Sequence, residues 1–166
     1  KALDFKGDSR PAPSAAQVIW DYYGGDAFFK KELLPLLDAV NKSDSGDLTI
    51  DEIMHPQGFI LLSYLMDPRT GLGRYKDYRI SNYQLMEDLI NYCRSMNSDE
   101  IFELQDVKER LDRYNEHSVL FIDMLKRCCG IRENTIITNL LGEKTIFCGN
   151  RFMVFGLFPE QNIEIR

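Results

Sequence analysis

The chain has 166 residues, 44% hydrophobic and 28% charged, with a net charge of −6. That is ordinary globular composition, enough for one good core or two small ones. The acidic balance excludes a chain that works as a nucleic-acid sleeve, so any basic patch must be local.

Other classes fall away on simple counts. No apolar run approaches the roughly 20 residues that span a bilayer, and no signal-peptide core opens the chain. A cytoplasmic protein that does not meet the membrane is expected. Cys93, Cys128, Cys129 and Cys148 have no zinc spacing and read as reduced, mostly buried thiols. The chain begins without methionine and ends on the alternating run Ile163-Glu164-Ile165-Arg166, which predicts an internal piece of a longer protein.

In chain order, residues 1–13 are polar, with Gly7, Pro11 and Pro13, and read as a loop. Ser14 is placed to cap a helix over Ala15 to Tyr23, stopped by Gly24-Gly25. Asp26 is expected to cap a second helix with Phe28, Phe29, Leu33, Leu36, Leu37 and Val40 on its apolar face, and Pro35 to bend it or mark its first turns. Thr49 caps a short helix to Met54, and Pro56 opens a helix apolar on all sides. Asp67 to Gly73 reads as a long turn, after which Ser81 caps an amphipathic helix. From Asn97 a long helix is predicted to Gly130. Its residues Ile101, Leu104, Val107, Leu111 and Tyr114 approach a heptad seam that could join two copies as a homodimer.

The character then changes to β-branched and aromatic runs at Thr135 to Leu140, Thr145 to Cys148, Phe152 to Phe158 and Ile163 onward. Tight-turn residues separate them, which predicts an antiparallel meander. The expected organisation is a helical part over 1–96, a connecting helix region over 97–130, and strands of a second domain over 131–166. The chain as a whole is expected to be mostly α-helical.

Residues Asn41 to Glu52 support two incompatible chemistries. Counted from Asn41, the oxygen-bearing positions Asn41, Ser43, Ser45, Asp47, Thr49 and Glu52, with Gly46 sixth, follow the pattern of a calcium-binding EF-hand loop. The aspartates usual at positions one and three are missing, and no partner hand is present. The plain alternative is a helix–loop–helix of capping and turn residues.

The second chemistry rests on a resemblance. Pro13-Ser14-Ala15-Ala16-Gln17-Val18-Ile19-Trp20-Asp21-Tyr22-Tyr23 resembles the helix that follows the Asp-His-His motif in DHH-family phosphoesterases. Ser43-Asp44-Ser45-Gly46 is similar to the family loop whose aspartate ligates the catalytic metals. Met66-Asp67-Pro68-Arg69-Thr70-Gly71-Leu72-Gly73 resembles the exopolyphosphatase-related branch. The family's Asp-His-His and Gly-Gly-Gly-His motifs do not occur in this sequence. The resemblance therefore implies a fragment of an α/β two-domain DHH-type parent, a hydrolase of phosphodiester or phosphoanhydride bonds. Its partner would be a phosphorylated small molecule or short oligonucleotide: an oligonucleotide, a cyclic-dinucleotide product or polyphosphate. Asp44 would be one ligand to Mn²⁺ or Mg²⁺, hard cations that suit oxygen donors.

No catalytic residue is identified within the chain, and the isolated chain is expected to be inactive, because one carboxylate cannot assemble a two-metal site. Arg69, Arg74, Lys76 and Arg79 interleave with Tyr75 and Tyr78, a composition suited to phosphate and base contacts. Arg69 and Arg74 are the candidate substrate-binding residues, the guanidinium being able to fork onto phosphate. His117 reads as a surface histidine and His55 as a helix-boundary residue. The remaining class is a non-catalytic helical interaction protein.

Overall fold

The computed structural model describes residues 5–166. Side-chain capping sets four of the eight α-helix starts among the described residues. Helix α1 (Ala15–Tyr22) begins where the Ser14 hydroxyl accepts from the Gln17 N–H at 3.0 Å. Short 3-10 turns at Gly25–Ala27 and Lys31–Leu33 follow, so the expected helix from Asp26 does not form. Helix α2 (Leu34–Ser45) begins only beside Pro35, whose missing N–H has no cost in a first turn.

Helix α2 ends at Gly46, where φ is +75°, a left-handed conformation that glycine adopts without strain. Helix α3 (Ile50–Met54) carries a complete capping box: Thr49 accepts from the Glu52 N–H, and Glu52 reaches back to the Thr49 N–H. Helix α4 (Gly58–Met66) buries Phe59, Ile60, Leu62, Tyr64 and Leu65, as expected of a helix apolar all round. Ser81 caps helix α5 (Asn82–Tyr92).

The predicted long helix is broken. Asn97 and Glu100 form a second capping box at α6 (Ser98–Phe102), Leu104 is extended, and α7 (Gln105–Cys128) starts afresh. The heptad-like seam is core rather than a surface. Ile101, Val107 and Tyr114 are buried against α4 and α5 residues, with Leu104 and Leu111 packed beside them.

Helix α7 serves both hydrophobic clusters. Its first half joins Leu62, Leu65, Leu72, Leu85 and Ile101; its second half supplies Phe121, Met124 and Leu125 to a cluster with Ile136, Met153 and Val154. No helix among the described residues is long and apolar enough to cross a membrane.

The C-terminal region corrects the predicted antiparallel meander. Strands β1 (Cys129–Arg132) and β2 (Thr135–Thr138) form an antiparallel hairpin, with Cys129 opposite Thr138 and Arg132 opposite Thr135. Strand β3 (Ile163–Ile165) lies parallel to β2, giving a mixed sheet in the order β1-β2-β3. The expected strand over 152–158 is instead helix α8 (Met153–Leu157), with Met153 and Val154 buried beside Phe121 and Met124. Tertiary burial overrides the β preference of this aromatic run, and the helix makes the crossover that a parallel return requires.

The run before it, 145–148, forms no strand. Its polar groups are satisfied one at a time. The Cys148 N–H donates to His117 Nδ1 at 3.1 Å, the Gly149 N–H donates to the Thr70 carbonyl at 3.2 Å, and Arg74 donates to the Ile146 carbonyl. A Cβ on Gly149 would sit 2.1 Å from the Phe121 ring, so this segment lies tight against α7. Buried Asn150 donates to the Ile53 carbonyl at 3.0 Å and accepts from the Phe152 N–H at 2.8 Å. Residues 146–152 thereby tie α3, α7 and the turn after α4 together.

Candidate phosphate-binding site

The turn after α4 is built by its own polar groups. Asp67 ends the helix in extended conformation, and its Oδ1 accepts from the Arg69 N–H at 2.8 Å. The Thr70 hydroxyl donates to the Asp67 carbonyl at 2.7 Å, closing a 3-10 turn over Pro68–Thr70. Gly71 follows at φ +86°, and the chain reverses into a second 3-10 turn over Leu72–Arg74.

This geometry gathers two arginines around one acid. The Arg69 Nε donates to Asp67 Oδ1 at 2.8 Å and to Oδ2 at 3.1 Å. From the other end of the chain, Arg151 brings its Nε to 3.8 Å from Asp67 Oδ2, with its guanidinium over the Phe152 ring at 4.2 Å. Asp67 is only 14% exposed, whereas Arg69 is 60% and Arg151 35% exposed. Burial raises the Asp67 carboxyl, but hydrogen bonds from the Arg69 side chain and backbone, with the charges of both arginines, outweigh it and hold the group below its ordinary value. A fixed carboxylate thus orients two cations whose outer edges meet solvent.

Arg74, the other candidate substrate-binding residue, is exposed, but its guanidinium is engaged within the protein. It donates to the Ile146 carbonyl and approaches Cys148 Sγ at 3.5 Å. Its present partners make it a tie between the turn and the 145–148 segment. Next to it, Arg113 forks onto Asp77 at 2.7 and 2.6 Å and lies over the Tyr75 and Tyr78 rings at 4.1 and 4.8 Å. The hydrogen bond from Arg113 holds the Asp77 carboxyl down at about 2. The expected stacking tyrosines are therefore already occupied by an arginine of their own chain. His117 is not a surface residue: it is partly buried between Tyr75 and Phe147 and accepts from the Cys148 N–H.

Asp44 lies elsewhere. It is exposed in the last turn of α2, beside an apolar groove lined by Leu36, Val40, Phe59 and Met66. The Ser43-Asp44-Ser45 stretch is helical, not a loop, because α2 continues to Ser45. The same continuation removes the EF-hand geometry. Asn41 exchanges hydrogen bonds with Ser14 and Gln17 of the α1 region, Ser45 donates to the Asn41 carbonyl, and Glu52 binds Lys42 at 2.7 Å. These oxygens are engaged within the protein, and the helical backbone through Ser45 is not the open loop that an EF-hand uses.

Among the described residues, no three His, Cys, Asp or Glu side chains come together where a metal ion could sit. Asp44 offers one carboxylate, and these residues alone do not fit the metal pair that the DHH resemblance implies.

The roles of three residues here do not follow from the sequence reading. Asp67 had a local signal, since an aspartate before Pro-Arg-Thr-Gly is placed to cap the turn. Arg151 and His117 had none, because their partners lie far away in sequence.

No family model and no curated protein matches the chain. Among solved structures it is similar to a pGpG-specific phosphodiesterase, PggH from Vibrio cholerae. The two share 45% identity with a TM-score of 0.85, over 93% of this chain and 51% of that one. The chain thus spans about half the length of that relative, a phosphodiester hydrolase.

Proposed function

We propose that this chain is part of a DHH-type phosphoesterase that hydrolyses phosphodiester bonds in a short phosphorylated oligonucleotide such as pGpG. The observation that carries the reading is 45% identity to a pGpG-specific phosphodiesterase across nearly all of this chain. At that identity both the fold and much of the local chemistry of the shared half are expected to be common. The Asp67–Arg69 turn agrees with it, because an exposed guanidinium fixed by a carboxylate is suited to a phosphate oxygen.

In the reaction a water oxygen bonds to phosphorus, the phosphorus–oxygen bond to the leaving nucleotide breaks, and a proton passes to the leaving oxygen. Arg69 binds and orients the phosphate. Arg74 keeps the turn closed against the 145–148 segment. Dependence on Mn²⁺ or Mg²⁺ belongs to this proposal, with Asp44 as one ligand and the others contributed from outside the described residues. The 166 residues alone are then inactive.

The test is a hydrolysis panel of pGpG, a cyclic dinucleotide and polyphosphate, with Mn²⁺ or Mg²⁺. It is run on the longer protein that contains this sequence and on the 166-residue chain. Cleavage of pGpG by the longer protein and none by the chain is expected. Cleavage of polyphosphate without pGpG would refute the nucleotide assignment, and turnover by the chain alone would refute its inactivity.

A further inference from the structure

The Asp67 carboxylate is contacted by two guanidiniums from opposite ends of the sequence, and only one of them belongs to the turn that the nucleotide reading uses. Resting on that reading, we infer that Arg151 is a second phosphate-binding residue, and that Arg69 and Arg151 together form a clamp for one phosphate group.

The geometry supports a clamp. Both Nε atoms approach the same oxygen, Asp67 Oδ2, at 3.1 and 3.8 Å, so they lie no more than about 7 Å apart. A phosphate that accepts from one guanidinium on each side spans about 8 Å from nitrogen to nitrogen, given charge-assisted bonds near 2.8 Å. The outer N–H groups of two such guanidiniums can therefore meet on a single phosphate.

The groups are also free to do so. Among the described residues, the Arg69 guanidinium donates through Nε alone, while Arg151 turns its buried Nε towards Asp67 and commits neither terminal nitrogen to a hydrogen bond. Stacking on Phe152 fixes the plane of Arg151 before any ligand arrives. Two cations around one carboxylate leave a surplus positive charge, which matches the single negative charge of a phosphodiester.

Position explains why two arms are used. Arg69 belongs to the turn after α4, and Arg151 to the segment that Asn150 and Gly149 tie to α3 and Thr70. A phosphate held by both is registered against both parts of the fold. A guanidinium on each side constrains the phosphate more than either alone, so the two contributions are coupled.

The test is calorimetric titration of the 166-residue chain with pGpG and, separately, inorganic pyrophosphate. It compares wild type, Arg69→Met, Arg151→Met, Arg151→Lys and the double methionine variant, with a melting curve for each. Arg151→Met is expected to weaken both anions by about tenfold or more. Arg151→Lys should recover part of that loss, since a lysine restores charge without the fork. The double variant should lose less than the product of the two single losses. Wild-type affinity in Arg151→Met, or a wild-type chain that binds neither anion, would overturn the clamp. A loss in Arg151→Met that tracks a lowered melting temperature and is fully restored by lysine would also overturn it, as a merely structural effect. The two readings separate cleanly. If pGpG binds through Arg69 and ignores Arg151, the clamp falls and the nucleotide reading stands. If pyrophosphate needs both arginines and pGpG does not bind, the clamp stands and the nucleotide reading falls.

Discussion

Arg110 is fully buried, and its surroundings explain how a cation is tolerated there. Its Nε donates to Asn82 at 2.8 Å, and its two terminal nitrogens donate to the Asp106 and Ile80 carbonyls at 2.6 and 2.7 Å, above the Tyr78 ring. Removing it strands two carbonyls and an amide oxygen. Arg110→Met is expected to lower unfolding stability by about 3 kcal/mol. A denaturant midpoint unchanged from wild type would contradict this.

His117 adds a pH dependence. Burial, with the charges of Arg74 and Arg113, holds its imidazole below the ordinary 6.5, while Glu116 opposes. Protonation would also remove the acceptor of the Cys148 N–H. The unfolded chain therefore takes up this proton at higher pH than the folded one. The stability due to His117 is complete above about pH 6.5 and declines as pH falls from there towards the folded value. Urea midpoints should decline over that window in wild type and decline less in His117→Asn. Equal slopes in the two proteins would show that His117 is not the group responsible.

At the scale of elements, residues 41–52 show how a metal-loop pattern can arise from capping. Serine, glycine, aspartate and threonine recur there because α2 must end and α3 must begin. Gly46 takes the left-handed cap, and Thr49 and Glu52 form the box. Glu52 also receives Lys42, whose hydrogen bond, with those from Thr49, outweighs burial and holds the carboxyl below its ordinary value. Thr49→Ala is expected to cost about 1 kcal/mol of stability. Calorimetry with Ca²⁺ should show no saturable binding. Sub-millimolar affinity abolished by Glu52→Gln would contradict the helical continuation through Ser45.

For the whole molecule, what was legible in the sequence follows the range of the interactions. The caps at Ser14, Thr49, Ser81 and Asn97 act on N–H groups three residues ahead, so sequence alone placed them. The C-terminal segment departs from its predicted strands because its partners are remote. Ile146, Cys148 and Gly149 find the side chains of Arg74 and His117 and the carbonyl of Thr70, and no local pattern distinguishes a segment held that way from one paired to a strand. The site divides in the same way. Arg69 stands in a turn whose residues announce it, while Arg151 acquires meaning only once α8 and the segment before it are folded against α3.

The proposed function places a phosphorylated dinucleotide where the turn after α4 meets the 150–152 segment. Backbone amide shifts of the isotope-labelled chain, followed during titration with pGpG, test it most directly. Saturable shifts concentrated in residues 67–74 and 150–152 are expected. Saturable shifts that leave residues 67–74 and 150–152 unmoved, or none at millimolar pGpG, would contradict it.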